Sequence, residues 1–270
     1  YDEQAHRRGP GSAFAHWTLK GIDAAIRDIH SAASKSRCGN YRLVVYSDHG
    51  QEEALPFQYR FGKEPQEAVK NAIMKTNFGG DFYVNETVNE ELHPLARRAR
   101  GLFSKNVPDG AERMNDGFGR IRIAALGPLG HIYLNSSSLV EDRKKLAEVL
   151  VADEKIPLVL YNARDRTIAV NRNGSFDLVE SFENILGAEH PLSEQTAQDL
   201  ALTCRHPDAG DLVISGWSPT EFPLTFSVEN GAHGGPGKEE TSGFLLIPDK
   251  MDSSSDVFRP MDLREKIFRF

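Results

Sequence analysis

Between Phe14 and Ala33 the apolar residues return at intervals of three and four. Leu19, Ile22, Ile26 and Ile29 form one stripe and Lys20, Asp23, Arg27 and Asp28 lie elsewhere, which predicts an amphipathic helix. A polar break at 34–40, ending in Gly39-Asn40, follows it. The run Tyr41-Arg42-Leu43-Val44-Val45-Tyr46 is then short, β-branched and nearly all apolar, the pattern of a buried strand in an α/β sheet. That helix, turn and strand lead directly into Ser47-Asp48-His49-Gly50. Ligands of open α/β sheets gather beyond the carboxyl ends of strands, so the placement suits a site.

Near the other end, Asp211–Ser215 and Thr241–Ile247 carry the same buried-strand pattern, and His233 lies in the glycine-rich link between them. Gly231, Gly234, Gly235 and Gly237 let that link bend tightly. The intervening chain has its own pattern. It predicts a strand at 57–61, helices at 64–75, 88–100, 139–152 and 193–204, and strands at 120–124, 131–134, 157–161 and 167–170. The resulting expectation is an α/β protein with a mixed, mostly parallel sheet flanked by helices. In it, residues 1–51 and 206–270 form the core, and 52–205 form an inserted α+β subdomain that leaves the core and returns.

Composition narrows the partners. The chain has 270 residues and a formal net charge of −7, so it offers no general attraction for nucleic-acid phosphates. DNA and RNA polymers are therefore not expected partners. No apolar run approaches the ~20 residues that span a bilayer, and the opening residues have no signal-peptide core. The chain as it stands reads as soluble, with no compartment indicated. Cys38 and Cys204 are the two cysteines, too few for a disulfide framework or a cysteine zinc knot, and free thiols are expected.

Three dispersed pieces carry the candidate chemistry: Asp2 with His6, Asp48 with His49, and His233. Two aspartates and three histidines are hard and borderline ligands that suit zinc or another divalent first-row metal. A split site of this kind points to metal-assisted hydrolysis. Each coordinating histidine must be neutral and needs an acceptor for its other ring nitrogen, and Glu239 or Glu240 near His233 is a candidate acceptor. The remaining histidines, His16, His30, His93, His131, His190 and His206, follow no ligand spacing and read as surface or packing residues. Arg97, Arg98 and Arg100 read as a solvated helix face rather than a phosphate site. Trp217 reads as a core or rim aromatic.

These residues resemble the alkaline phosphatase superfamily, and within it the type I phosphodiesterase and nucleotide pyrophosphatase branch. Asp2-Glu3-Gln4-Ala5-His6 with Gly9-Pro10 resembles that branch's D-x-x-x-H metal motif and its trailing G-P. Ser47-Asp48-His49-Gly50 matches its S-D-H-G motif. Asp211-Leu212-Val213, Gly216-Trp217 and Gly231-Ala232-His233-Gly234 resemble the segment that brings the last histidine. The similarity covers about 1–51 and 206–250. It implies two divalent ions, usually zinc with manganese as the alternative, and a phosphoester as the small-molecule substrate. By position Asp2, His6 and His233 would hold one ion, and Asp48 with His49 part of the other. It also places the threonine or serine nucleophile, and one more aspartate, upstream of Tyr1. Ser12, Thr18 and Ser47 do not occupy the nucleophile's position. The chain is therefore expected to be the C-terminal portion of a longer enzyme, inactive alone, whose missing N-terminal segment is its partner. A related phosphomutase or sulfatase is the alternative enzyme, and a catalytically silent binding module the alternative from another class.

Overall fold

A computed structural model of the protein describes residues 1–76, 83–86, 120–134, 139–248 and 257–269. The chain begins with helices α1 (Asp2–Arg8) and α2 (Ala13–Lys35) and short strands β1 (Val45–Tyr46), β2 (Glu52–Glu53) and β3 (Leu55–Pro56). Next come α3 (Phe57–Phe61), α4 (Pro65–Lys75), β4 (Tyr83–Glu86), β5 (Arg120–Leu126), β6 (Leu129–Tyr133) and α5 (Val140–Ala152). Strands β7 (Leu158–Ala163), β8 (Arg166–Asn171) and β9 (Gly174–Asp177) precede α6 (Phe182–Leu186) and α7 (Ser193–Arg205). Strands β10 (Leu212–Ser215), β11 (Leu224–Thr225), β12 (Gly231–Ala232) and β13 (Leu245–Leu246) and helix α8 (Pro260–Arg269) complete the order. Among the described residues no helix is long and apolar enough to cross a membrane.

Two compact units result. One comprises residues 1–53, 230–233 and 237–270, and the other 54–229 with 234–236. The larger unit is built on a seven-stranded sheet of order β4-β5-β6-β10-β7-β8-β9. Only β4 and β5 run parallel; the six strands from β5 to β9 are antiparallel throughout. The expected mostly parallel sheet is thus corrected, and the connections explain why. Parallel neighbours need a crossover of a dozen or more residues, whereas β5–β6, β7–β8 and β8–β9 are joined by two-residue turns, at Gly127-Pro128, Arg164-Asp165 and Arg172-Asn173. The 212–215 run is the middle strand, paired to β6 and β7. Covered on both edges and both faces, its residues are all buried, which is why it reads as an unbroken apolar run.

Alternation along the strands divides the apolar residues between two cores. Val159, Tyr161, Leu212 and Ile214 face a cluster that holds Val69 of α4 and Leu146 of α5. Leu158, Leu160 and Val213 face another that holds Ile185 of α6 and Leu200 of α7. This period-two sorting puts helices on both faces of the sheet. The segment 57–61, expected to be a strand, is the helix α3. Phe57 and Phe61 pack with ring planes tilted by 55° and centroids 4.9 Å apart, one helical turn apart in sequence, with Gly62 closing the turn at φ 69°. The predicted helix at 88–100, with Arg97, Arg98 and Arg100, and His93 lie outside the described residues.

In the smaller unit the sheet content is slight. The expected buried strand 41–46 narrows to β1, paired among the described residues with β13, and Tyr46 stays half exposed. Helix α2 forms where the periodicity predicts it, with Ser12 capping it by accepting from the Ala15 amide.

Electrostatics pins one corner of the larger unit. The Glu154 carboxylate is almost fully buried and accepts from Lys63 Nζ at 2.5 Å and Lys75 Nζ at 2.9 Å. Burial pushes its pKa up, but the two ammonium groups outweigh burial and hold it below the ordinary 4.5. A carboxyl depressed in the folded state gives stability that is complete above its unfolded pKa and is lost as pH falls through the folded one. Glu154→Gln should therefore lower the unfolding free energy at pH 7 by about 1–2 kcal/mol, since Lys75 is half exposed and its share is screened. It should also flatten the loss of stability below pH 4.5, measured by urea denaturation across pH.

Candidate metal centre

Helix α1 places Asp2 and His6 one turn apart on one face, so a D-x-x-x-H spacing aims a carboxylate and an imidazole at the same point. The helix is short and would fray alone, but Asn230 holds its end. The Asn230 backbone amide donates to His6 O at 2.6 Å and its side-chain nitrogen donates to Arg7 O at 2.7 Å, satisfying carbonyls that a helix end leaves open. Beside Asn230, β12 pairs antiparallel with β2, in register Gly231↔Glu53 and Ala232↔Glu52. His233 follows immediately.

Asp2, His6 and His233 converge. One ligand atom from each lies within 4.8 Å of the other two. Asp2 Oδ1 is 3.6 Å from His6 Nε2 and 3.7 Å from His233 Nε2. These separations are too long for hydrogen bonds. They are close to the spacing of about 3.4 Å that two ligands adopt across a tetrahedral zinc with bonds of ~2.0–2.1 Å. The donor set fits a divalent cation in chemistry as well as in spacing: one carboxylate oxygen and two imidazole nitrogens.

The histidine tautomers follow from their partners. His6 Nδ1 lies 2.7 Å from the Gly231 carbonyl and His49 Nδ1 2.7 Å from the Gly50 carbonyl. A carbonyl only accepts, so each Nδ1 carries the proton and each Nε2 keeps its lone pair for a ligand. The sequence reading looked to acidic side chains for this service; for His6 and His49 the main chain provides it.

The Ser47–Gly50 segment is fixed against residues 239–244. Ser47 Oγ accepts from the Phe244 amide at 3.0 Å, and the Gly50 amide donates to Glu240 O at 2.8 Å. Ser47 is thus a structural hydroxyl. The His49 ring stacks on His233 with centroids 3.7 Å apart and planes inclined by 23°, bringing it to the Asp2–His6–His233 group. Asp48 stays largely exposed, its Oδ2 3.7 Å from His49 Nε2. It is not part of the three-residue cluster, though it borders His49.

Other histidines have structural partners. His190 is buried, with Nε2 3.1 Å from Pro236 O and Nδ1 accepting from the Leu192 amide. His131 accepts from the Gly210 amide, and burial lowers its pKa. His16, His30 and His206 are exposed, and Trp217 is buried in the second core. Cys38 and Cys204 are free, and burial pushes the Cys204 thiol up to about 12. Sequence reasoning missed Asn230 as the anchor of α1. It stands beside a ladder of two residues, too short to leave a period in the sequence.

Gly231 is the close-approach point. A Cβ there would sit 2.5 Å from the Ala5 carbonyl oxygen, a backbone atom that cannot swing aside. Gly231→Ala should push α1 away and destabilise the protein by about 1–3 kcal/mol. Thermal unfolding should register the loss, and the displaced Asp2 and His6 should weaken zinc binding in the same variant.

Comparison with known proteins adds one finding. No curated protein matches the chain, and no solved structure does. A family model, type I phosphodiesterase / nucleotide pyrophosphatase, matches residues 1–175. That span contains both N-terminal motifs, continues through residues where no motif was legible and stops before His233, whose place rests on the geometry above. With the match covering well over half of the 270 residues, the chain belongs to the type I phosphodiesterase / nucleotide pyrophosphatase family, within the alkaline phosphatase superfamily.

Proposed function

We propose that the chain carries one cation site, and part of a second, of a metal-dependent phosphodiesterase that hydrolyses phosphoric esters. The observation that carries this is the Asp2 Oδ1 separation of 3.6 and 3.7 Å from two imidazole nitrogens, the spacing of ligands around a shared ion rather than of hydrogen-bonded groups. Asp2, His6 and His233 would hold one ion, and His49 with Asp48 would supply ligands to the other. Zinc suits this donor set, and manganese is the alternative.

When bound, the ions would lower the pKa of an attacking hydroxyl and stabilise the charge on the leaving oxygen. The chain's own residues set the conditions for that. The Gly231 and Gly50 carbonyls fix the imidazoles as Nε2 ligands. Gly231 admits α1 close enough for the carboxylate and both rings to meet. On the family pattern, the attacking hydroxyl and a further aspartate come from residues preceding Tyr1. Such a segment of the same protein and a phosphoester are the partners this reading requires.

The first test is binding. Zinc affinity, read by competition with a chromophoric chelator, should fall at least about 100-fold in His6→Ala and in His233→Ala, because each removes a direct ligand. It should also fall in acid, where protons compete for the same nitrogens. Wild-type protein that does not take up zinc or manganese would overturn the reading.

The second test is turnover. Protein that includes the residues before Tyr1 should cleave a chromogenic phosphodiester in the presence of zinc, and His49→Ala should cut that rate by orders of magnitude. Equal turnover by His49→Ala would remove this residue from the centre.

A further inference from the structure

At the end of the larger unit's sheet, where β7 begins and β8 and β10 finish, a cleft of about 550 Å³ opens. That is the size of a small-molecule site. Every residue lining it belongs to the larger unit, and none of the candidate metal ligands is among them. Its floor draws on both cores: Ile156 and Val170 come from one, Ile185 and Trp217 from the other, and all four are buried.

The rim is charged. Arg60, Lys155 and Arg172 line the cleft against two carboxylates, Glu148 and Glu221, so three cations face two anions in a chain whose net charge is −7. A local positive excess in an acidic protein draws anions. Glu221 is already engaged. It accepts from Arg172 Nη1, while Thr220 Oγ1 accepts from Nη2 at 2.8 Å, and this holds the guanidinium plane and leaves its other N–H groups to donate. The Arg60 guanidinium has no ion-pair partner among the described residues.

Lys155 carries a second mark. Its backbone lies in the left-handed region at φ 67°, where a side chain is strained and glycine is not. Lysine stands there nevertheless, with Nζ donating to Ala152 O at 2.6 Å and two N–H groups left over. A long cation at a position that backbone geometry disfavours points to a requirement on its side chain.

We infer that this cleft binds a small organic anion, its aromatic or aliphatic body on the apolar floor and its carboxylate or phosphate at Arg60, Lys155 and Arg172. Both anions present what guanidinium and ammonium groups recognise, an oxygen that accepts charge-assisted hydrogen bonds. Binding needs no metal ion, so the site stands apart from the phosphodiesterase reading.

Trp217 can report occupancy by its fluorescence, because Trp17→Phe leaves it the sole tryptophan. In that 270-residue variant, with a chelator present to remove divalent ions, benzoate or phenyl phosphate should change the emission saturably, and the tighter of the two identifies the anion. Benzyl alcohol, which has the body without the charge, and inorganic phosphate, which has the charge without the body, should each bind at least about tenfold more weakly. Arg60→Gln should weaken the tighter anion at least about fivefold. Lys155→Gly separates binding from folding. It should weaken the anion by a similar factor while melting at or above the parent's temperature, since glycine relieves the left-handed backbone. No saturable change with either anion, or an affinity unchanged in both Arg60→Gln and Lys155→Gly, would overturn the site and leave the metal reading standing.

Discussion

The candidate centre depends on one close approach: helix α1 lies against β12 at Gly231, where even a methyl group would collide with the Ala5 carbonyl. Every convergent ligand follows from it. Asp2 and His6 ride on α1, and His233 leaves the strand two residues past the contact. The Gly231 carbonyl holds the His6 ring, while Asn230 on the other side binds the carbonyls that end the helix. Seven residues of helix have little stability of their own, so α1 exists where tertiary contacts hold it. The same contacts that form the helix therefore aim its ligands.

A two-residue ladder does more sorting here than its length suggests. Because side chains alternate across a strand, β2 sends Glu52 one way and Glu53 the other. Glu52 meets a backbone amide, and burial, its largest influence, raises its pKa despite that hydrogen bond. Glu154, also buried, goes the opposite way because two ammonium groups reach it. The contrast separates two uses of a buried carboxyl. One is held by main chain and resists ionisation, and the other is a paired charge that ties α4 and the residues before it to the end of α5.

Much of this was legible in the sequence where the signal was periodic. Helices α4, α5 and α7 and strands β5 to β8 and β10 sit where their spacing predicts, because each buries apolar residues against a partner and so repeats with its own period, and α2 forms where predicted although Leu19, Ile22 and Ile29 of its stripe stay exposed. The errors share a cause. The apolar richness of 57–61 satisfies a strand and a single helical turn equally, and five residues are too few to separate the periods. The parallel sheet was an inference from fold type, and the two-residue turns at Gly127-Pro128 and Arg172-Asn173 already argued against it. Asp2, His6, His49 and His233 could be named from motif chemistry, but Asn230 could not. Its place comes from the strand edge it adjoins, and that depends on partners remote in sequence.

Spacing also accounts for what an imidazole pair does in this centre. The His49 and His233 rings stack at 3.7 Å, so their mutual packing restrains the rotation of both without consuming a ligand nitrogen. The carbonyl of Gly50 reinforces this by fixing the proton of His49 on Nδ1. Ring packing, main-chain acceptors and the glycine contact thus act on one property, the availability of Nε2 lone pairs beside the Asp2 carboxylate. A site prepared in this way loses less conformational freedom when a cation enters it, and that preorganisation is the share of affinity the fold itself contributes.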